Sequence, residues 1–152
     1  MTEKLSIASE LEDDHIGLNK DIAAIMQLLE LEIDKTDFQR WRLRFLWNLR
    51  DFKNRLLKHF DLEEVGGFMT EVVSIKPEFS AKVGDLKDEH EKISRELDDI
   101  LMMLKRLEKL EGDSMDLIKT RLQQLMTSLG KHENEEHQLL QKAYYRDYGG
   151  PA

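Results

Sequence analysis

Cysteine is absent from the sequence, and proline and glycine are scarce. Without a thiol, the chain cannot form a disulfide, a thiolate zinc site or an iron–sulfur cluster. Its 2 prolines and 8 glycines, in 152 residues, cluster at a few places, so long uninterrupted helices are expected between them. The lack of cysteine is compatible with a reducing cytoplasm but does not require one.

Long apolar runs are also missing. No stretch approaches the roughly 20 apolar residues of a membrane-spanning helix. The N-terminus, MTEKLSIASELEDDH, mixes apolar with acidic residues and has no signal-peptide core. The net charge of −8 repels phosphate backbones and anionic lipid, which argues against nucleic acid and membrane surfaces as partners. These features predict a cytoplasmic protein.

Apolar residues recur at alternating spacings of three and four in four segments, the pattern of a helix with one face in a core. The segments are 11–29, 45–63, 79–107 and 118–143. Short connections between long helices favour antiparallel neighbours. The predicted fold is therefore all-α, an up-down-up-down four-helix bundle that forms a single domain over residues 1–152.

Helix ends are marked by local signals. Thr36 and Gln39 form a capping-box pattern that is predicted to start the second helix. Gly112 is predicted to end the third helix, with Asp113 or Ser114 capping the fourth. Residues 68–76, between a glycine pair and Pro77, are predicted to form a loop or short helix over one end of the bundle.

Six polar side chains interrupt the apolar stripes. They comprise four of the five histidines, one per helix, and two glutamates that follow a histidine by four residues: His15, His59, Glu63, His90, His132 and Glu136. An i, i+4 pair lies on one helix face, so each histidine and its glutamate can reach the same point. Burying such groups is costly unless they are paired or bind metal. One buried histidine is usually structural, but six groups on four helices favour a shared metal site.

The six positions also lie in the same half of an antiparallel bundle, at the end that residues 68–76 can cover. Imidazole nitrogens mixed with carboxylate oxygens suit iron, manganese or zinc. Two carboxylates that can bridge indicate two metals, because one ion rarely uses four imidazoles and two glutamates. Helix bundles build di-iron centres in this way from facing side chains.

The ordered motifs DDHIGLNK, LLKHFDLEE, DEHEKI and KHENEEHQLL resemble the hemerythrin-like, HHE cation-binding domain over nearly the whole chain. The resemblance implies a four-helix bundle with two Fe ions, held by His15, His59, Glu63, His90, His132 and Glu136, with the glutamates bridging. Manganese and zinc stay open as alternatives. The implied partner is a small diatomic ligand or peroxide.

Two positions depart from the oxygen-carrying hemerythrins that this chain resembles. Those proteins have a second histidine four residues after the one on the third helix, where this chain has Ser94, and an aspartate at the position of His137. The departures favour sensing or redox chemistry with O2, NO or peroxide over O2 transport. The alternatives are an iron-handling or ferroxidase-like protein and a partner-binding helical module with a structural metal. Whether the protein is an enzyme stays open.

Other residues that attract notice are interpreted as packing or surface residues. His137 and Glu64 are turned away from the ligand faces, although a flexible site could recruit either. Trp41 and Trp47 are predicted to pack in the core or at its edge. The tyrosines of the C-terminal end are predicted to pack at the end of the bundle: Tyr144, Tyr145 and Tyr148. A homodimer through Leu107 and Leu110 is considered, but a charged bundle can equally be monomeric.

Overall fold

The computed structural model describes the backbone of residues 2–31, 33–65, 67–110 and 112–145, and the side chains of 13, 15–31, 33–65, 67–110 and 112–143. Within these residues it is helical almost throughout. The helices are α1 (Thr2–Glu30), α2 (Phe38–Glu64), the short α3 (Phe68–Ile75), α4 (Ser80–Arg106) and α5 (Asp113–Leu140). The three C-terminal tyrosines lie outside the described side chains.

The four long helices form a ring of neighbours. Helix α1 packs against α2 and α5, and α4 packs against the same two helices from the other side. Because consecutive long helices run in opposite directions, this is the up-down-up-down bundle that the apolar stripes predicted. None of the helices in the described part is long and apolar enough to cross a membrane.

Two apolar clusters fill the bundle. The larger one extends from Leu18 on α1 to Leu129 on α5 and includes Phe45, Leu49 and Ile93. The smaller one contains the fully buried Phe68, Met69 and Val72 of α3, packed with residues of α4 and α5. On α4 and α5 the predicted ligands lie between residues of the two clusters in sequence. The polar layer is therefore covered by apolar side chains on both sides, and α3 covers the end predicted for residues 68–76.

The predicted capping box at the start of α2 does not form. A 3-10 turn, Lys35–Asp37, precedes α2, and no side chain caps its first turn. Gln39 does not reach back toward Thr36, because its Oε1 accepts hydrogen bonds from the guanidinium of Arg42, from Nη2 at 2.7 Å and from Nε at 3.2 Å. Arg42 thus occupies the Gln39 side-chain amide that the capping box would require.

The end of the third long helix was also predicted wrongly. Helix α4 ends at Arg106, and Leu107, its C-cap, has an extended backbone. The Arg42 guanidinium donates a hydrogen bond of 2.7 Å to the backbone oxygen of Lys105, so α2 satisfies a carbonyl that the helix end would leave unpaired. Gly112, with a φ of 122°, instead precedes α5 as its N-cap, without a side-chain cap from Asp113 or Ser114.

The two tryptophans of α2 have opposite environments. Trp41 is buried, and its Nε1 donates a hydrogen bond of 3.0 Å to the Leu28 backbone oxygen on α1. Trp47, predicted to pack in the core or at its edge, is 63% exposed. Helix geometry explains the difference, because Trp47 lies about 240° around the helix from Trp41. Leu107 is buried in the core of its own chain, so it is not available for a dimer face.

Candidate metal centre

The structure brings the six predicted ligands together in one polar layer. Their ligand atoms form two groups, and within each group all the atoms lie within 4.8 Å of one another. We call one group the inner cluster: Glu63, His90, His132 and Glu136. We call the other the outer cluster: His15, His59 and Glu136. Because Glu136 belongs to both, the two groups adjoin.

The inner cluster is supplied by α2, α4 and α5, and all of its members are buried. His90 Nε2 lies 3.6 Å from Glu63 Oε1 and 3.8 Å from Glu136 Oε1. His132 Nε2 contacts Glu136 Oε1 one helical turn along α5. The rings of His90 and His132 are 4.8 Å apart between centroids. Two imidazoles and two carboxylates therefore converge on one point.

The outer cluster joins α1 to α2 and α5. The Nε2 atoms of His15 and His59 are 3.0 Å apart, and their ring centroids are separated by 4.7 Å. His59 Nε2 lies 3.0 Å from Glu63 Oε1, so Glu63 also reaches toward this group. Both glutamates consequently stand between the two pairs of histidines. His15 is partly exposed, unlike the other five residues.

Several polar atoms of the inner cluster have no hydrogen-bond partner among the described residues. They are His90 Nε2, both ring nitrogens of His132 and both carboxylate oxygens of Glu136. The atoms approach one another, but their directions do not form hydrogen bonds. Leaving such groups unsatisfied in a core is costly, and a cation placed among them would satisfy nitrogen and oxygen alike. The donor set therefore fits a metal ion.

Burial keeps the two inner histidines neutral. It lowers the pKa of His90 to about 4, with electrostatic contributions from His59 and Lys87 acting in the same direction. It lowers the pKa of His132 to about 3, where His90 adds to the effect. Near pH 7 both rings are uncharged, and a neutral imidazole has the lone pair that a metal requires.

A carboxylate from outside the cluster binds the other ring nitrogen of His90. His90 Nδ1 donates a hydrogen bond of 2.8 Å to Glu64 Oε2, and the Phe60 ring stacks on His90 at 3.8 Å between centroids. This hydrogen bond fixes the tautomer of His90 that leaves the Nε2 lone pair facing the cluster. His132 Nδ1 lies 3.5 Å from Glu89 Oε1, near this carboxylate but without a hydrogen bond to it.

The sequence did not predict that carboxylates outside the six ligands lie beside the inner histidines, although Glu64 had been named as a residue that a flexible site could recruit. It is true that Glu64 is turned away from His59, but it thereby faces His90 on the neighbouring α4. Glu133 was missed as well: it is half-buried, its Oε1 has no hydrogen-bond partner in the described part, and burial raises its pKa to about 7. The adjacent charges of His59 and Glu63 affect that pKa in opposite directions. The sequence signal was a glutamate next to Glu63, His90 and His132, which also fits a solvated helix face.

Two residues singled out from the sequence lie apart from both clusters. His137 is exposed, and its Nε2 is 3.2 Å from Gln141 Nε2 one turn later on the same side of the helix. Ser94 is half-buried, one turn after His90 on α4. Neither belongs to the two groups of candidate ligands.

Comparison with protein families gives one match that covers most of the chain. The model described as the hemerythrin HHE cation-binding domain matches residues 6–144. The match includes all six predicted ligands and every long helix of the bundle, apart from the first few residues of α1. Comparisons with curated proteins and with solved structures found no match.

Proposed function

The chain belongs to the hemerythrin HHE cation-binding family, and from this premise we propose that it holds a di-iron centre that binds or reacts with O2, NO or peroxide. In this proposal the whole chain is one domain devoted to that centre. The proposed ligands are His15, His59, Glu63, His90, His132 and Glu136. Manganese and zinc accept the same donors and are compared directly in the experiment below.

The observation that carries the proposal is the position of Glu136. It belongs to both the inner and the outer cluster, and Glu63 lies 3.0 Å from His59 and 3.6 Å from His90. A glutamate between two pairs of histidines is placed to bridge two ions. With a single ion, one pair of imidazoles would remain in an otherwise apolar core without a metal to bind.

The ligand count favours reactivity over a closed structural site. Two histidines and shared glutamates give each ion fewer ligands than the six that iron prefers, so coordination positions remain for a small molecule. Two iron ions, when bound, supply electrons and open positions for such a ligand. The residue at the position of the oxygen carriers' additional histidine is Ser94, which leaves the position beside His90 without an imidazole. We therefore propose sensing or redox chemistry in preference to O2 transport.

The test combines metal content with reactivity. We expect plasma mass spectrometry to find two iron ions per chain after anaerobic loading, and less manganese or zinc when the metals compete. We expect the reduced protein, mixed with air-saturated buffer in a stopped-flow instrument, to be oxidised within seconds to minutes. One ion or none per chain would contradict the two-metal centre. A long-lived O2 adduct that releases O2 under argon would contradict the preference for redox chemistry.

One observation favours the second candidate, a partner-binding module with a structural metal. Leu43 and Trp47 lie one turn apart on α2, and they are 52% and 63% exposed. Large apolar side chains exposed one turn apart on the same helix often mark an interaction site. Under this candidate, the loaded protein would be inert to O2 and peroxide, which the stopped-flow experiment also decides. Nothing specific in the described residues favours the iron-handling alternative.

A further inference from the structure

We propose that the outward face of α2 is a docking surface for an acidic amphipathic helix of a partner protein. We call this surface the arginine face and define it by five exposed residues: Arg40, Leu43, Arg44, Trp47 and Arg50. Trp47 precedes His59 by twelve residues on the same helix, about 18 Å along its axis. The arginine face is therefore remote from the metal centre and requires no particular state of the metal.

The arginine face lies on one side of α2 and is bounded by contacts to its neighbours. At 100° per residue, its five positions fall within about 120° of the helix circumference. Lys53 pairs with Asp98 on α4, and Arg55 pairs with Asp21 on α1. By the same geometry Lys53 and Arg55 lie at opposite edges of the face, so the two adjacent helices flank it without covering it.

Leu43 and Trp47 give the arginine face an apolar centre. They lie one turn apart, and each is more than half exposed. Tryptophan is enriched among the few residues that contribute most of the binding energy of protein interfaces. An apolar pair of this spacing fits two apolar residues, also one turn apart, on a helix that lies along α2.

Arginines without acidic partners surround this apolar centre. Residues 38–50 contain four arginines and no aspartate or glutamate, in a chain with a net charge of −8. None of the four is paired with a carboxylate of the described residues, whereas Lys53 and Arg55 are both paired. Arg42 binds only the neutral oxygens of Gln39 and Lys105. The charge complement of this surface is therefore a partner that carries carboxylates.

A surface cavity of about 530 Å³ lies at one edge of the arginine face. Arg40 and Arg44 line it together with Leu31, Trp41, Asp34 and Asp37. Because the two aspartates offset the two arginines there, the cavity suits an apolar side chain of the partner better than a charged one. The partner's carboxylates are expected near Arg42 and Arg50, on the side of the face away from the cavity.

Two other occupants fit this surface less well. A second copy of the chain, related by a two-fold axis through the face, would place arginines against arginines. Nucleic acid would meet the four arginines but would be repelled by the rest of the chain, which carries all of the net negative charge. Leu43 also offers a base no aromatic ring on which to stack.

Selection from a library of helical peptides tests the chemistry of the partner. The library is displayed on phage, depleted of peptides that bind Trp47→Ser, and then passed over the full wild-type chain. We expect the recovered peptides to be acidic, with two apolar residues three or four positions apart. Basic or neutral peptides, or no peptide that distinguishes wild type from Trp47→Ser, would overturn the proposal.

Substitutions with matched controls then test the residues. A recovered peptide, labelled with fluorescein, is titrated by fluorescence anisotropy. We expect Trp47→Ser to weaken binding at least tenfold, and the double variant Arg44→Gln, Arg50→Gln to weaken it and reduce its dependence on salt. The controls are Leu117→Ser, an exposed leucine on α5, and Arg95→Gln, an exposed arginine on α4, and both should bind as wild type does. Equal losses in the controls would overturn the assignment to this face.

Three further measurements separate the other occupants and the metal site. Self-association in sedimentation velocity that is lost in Trp47→Ser would assign the face to a second copy. A labelled DNA oligonucleotide that binds through Arg44 and Arg50 as tightly as the peptide would assign it to nucleic acid, and either result would overturn the acidic helix. We expect equal iron per chain in wild type and Trp47→Ser, because the face is remote from the ligands. Failure of peptide binding would then leave the two-metal proposal standing, and failure of that proposal would leave this one standing.

Discussion

For single residues, burial decides what chemistry the side chain offers. His90 and His132 have pKa values lowered to about 4 and about 3, so these rings stay neutral at pH values where an exposed histidine is largely protonated. Burial of Glu133, next to His132 in the chain, raises its pKa to about 7. When no metal is present, these side chains therefore make the free energy of unfolding depend on pH.

The first prediction isolates the contribution of His132. Its pKa is about 3 in the folded chain and near 6.5 when unfolded, so between these values the unfolded state binds the extra proton. His132 therefore lowers stability as pH falls through this window, by up to about 1.4 kcal/mol per pH unit. We expect the metal-free His132→Gln variant to lose less stability than wild type between pH 6.5 and 4. The measurement is urea unfolding in chelator at several pH values. Parallel curves would contradict it.

The second prediction distinguishes the proposed metal ligands from His137, a histidine outside both clusters. We expect His59→Ala and His132→Ala to lose bound metal, because both side chains lie inside the clusters with their nitrogens toward a carboxylate. We expect His137→Ala to keep it, because His137 is exposed and lies apart from both clusters. Metal per chain is measured by plasma mass spectrometry on equally loaded samples. A metal-free His137 variant would show that α5 binds metal through a different face.

The sequence could predict the six candidate ligands because each replaces an apolar residue at a fixed place in a helical stripe. Their binding of metal stays a prediction, but the structure does bring them together. Glu64, Glu89 and Glu133 could not be identified in that way. They lie on helix faces that also carry solvated charges. Only the packing of α2, α4 and α5 determines which of these carboxylates lie close to a histidine of a neighbouring helix.

Among the helices, periodic patterns were reliable and capping signals were not. The four stripes predicted the long helices because burial involves many residues at once. A cap depends on one or two hydrogen bonds, which a tertiary contact can replace. Arg42 shows this twice, since it binds the Gln39 amide and also the Lys105 carbonyl at the end of α4.

The turn between α2 and α3 leads to the third prediction. Gly67 has a φ of 113°, which residues with a Cβ rarely adopt, so Gly67→Ala should lower the free energy of unfolding by about 1–2 kcal/mol. Gly84 is the matched control within α4, because a Cβ added there meets no atom within 4 Å. Gly84→Ala should raise stability by about 0.5–1 kcal/mol, since alanine favours helix. Urea unfolding measures both, and a neutral Gly67→Ala would contradict the strained turn.

For the whole molecule, the metal site and the core are one structure. The larger apolar cluster lies on one side of the polar layer and the smaller cluster, with α3, on the other. The bundle therefore folds around groups that oppose folding when metal is absent. The core contains two buried glutamates near each other and two histidines with strongly lowered pKa values. Each of these groups is more stable in water than in the core.

The last prediction follows from this opposition. A metal that binds only the folded chain stabilises it by mass action, by about 2.7 kcal/mol for each site at a free concentration of 100 times Kd. For a chain of this size, two such sites should raise the melting temperature on the order of 10 °C. Calorimetry of loaded and chelator-treated protein measures the difference.

The control for this comparison is His132→Ala, which should melt at nearly the same temperature with and without added iron because the inner cluster is incomplete. Equal melting temperatures for loaded and metal-free wild-type protein would mean that the polar layer is stable without an ion. The buried atoms of His90, His132 and Glu136 that lack hydrogen bonds would then require another explanation, such as water held in the core. A partial shift, lost in His15→Ala but kept in His90→Ala, would place the stabilising ion in the outer cluster.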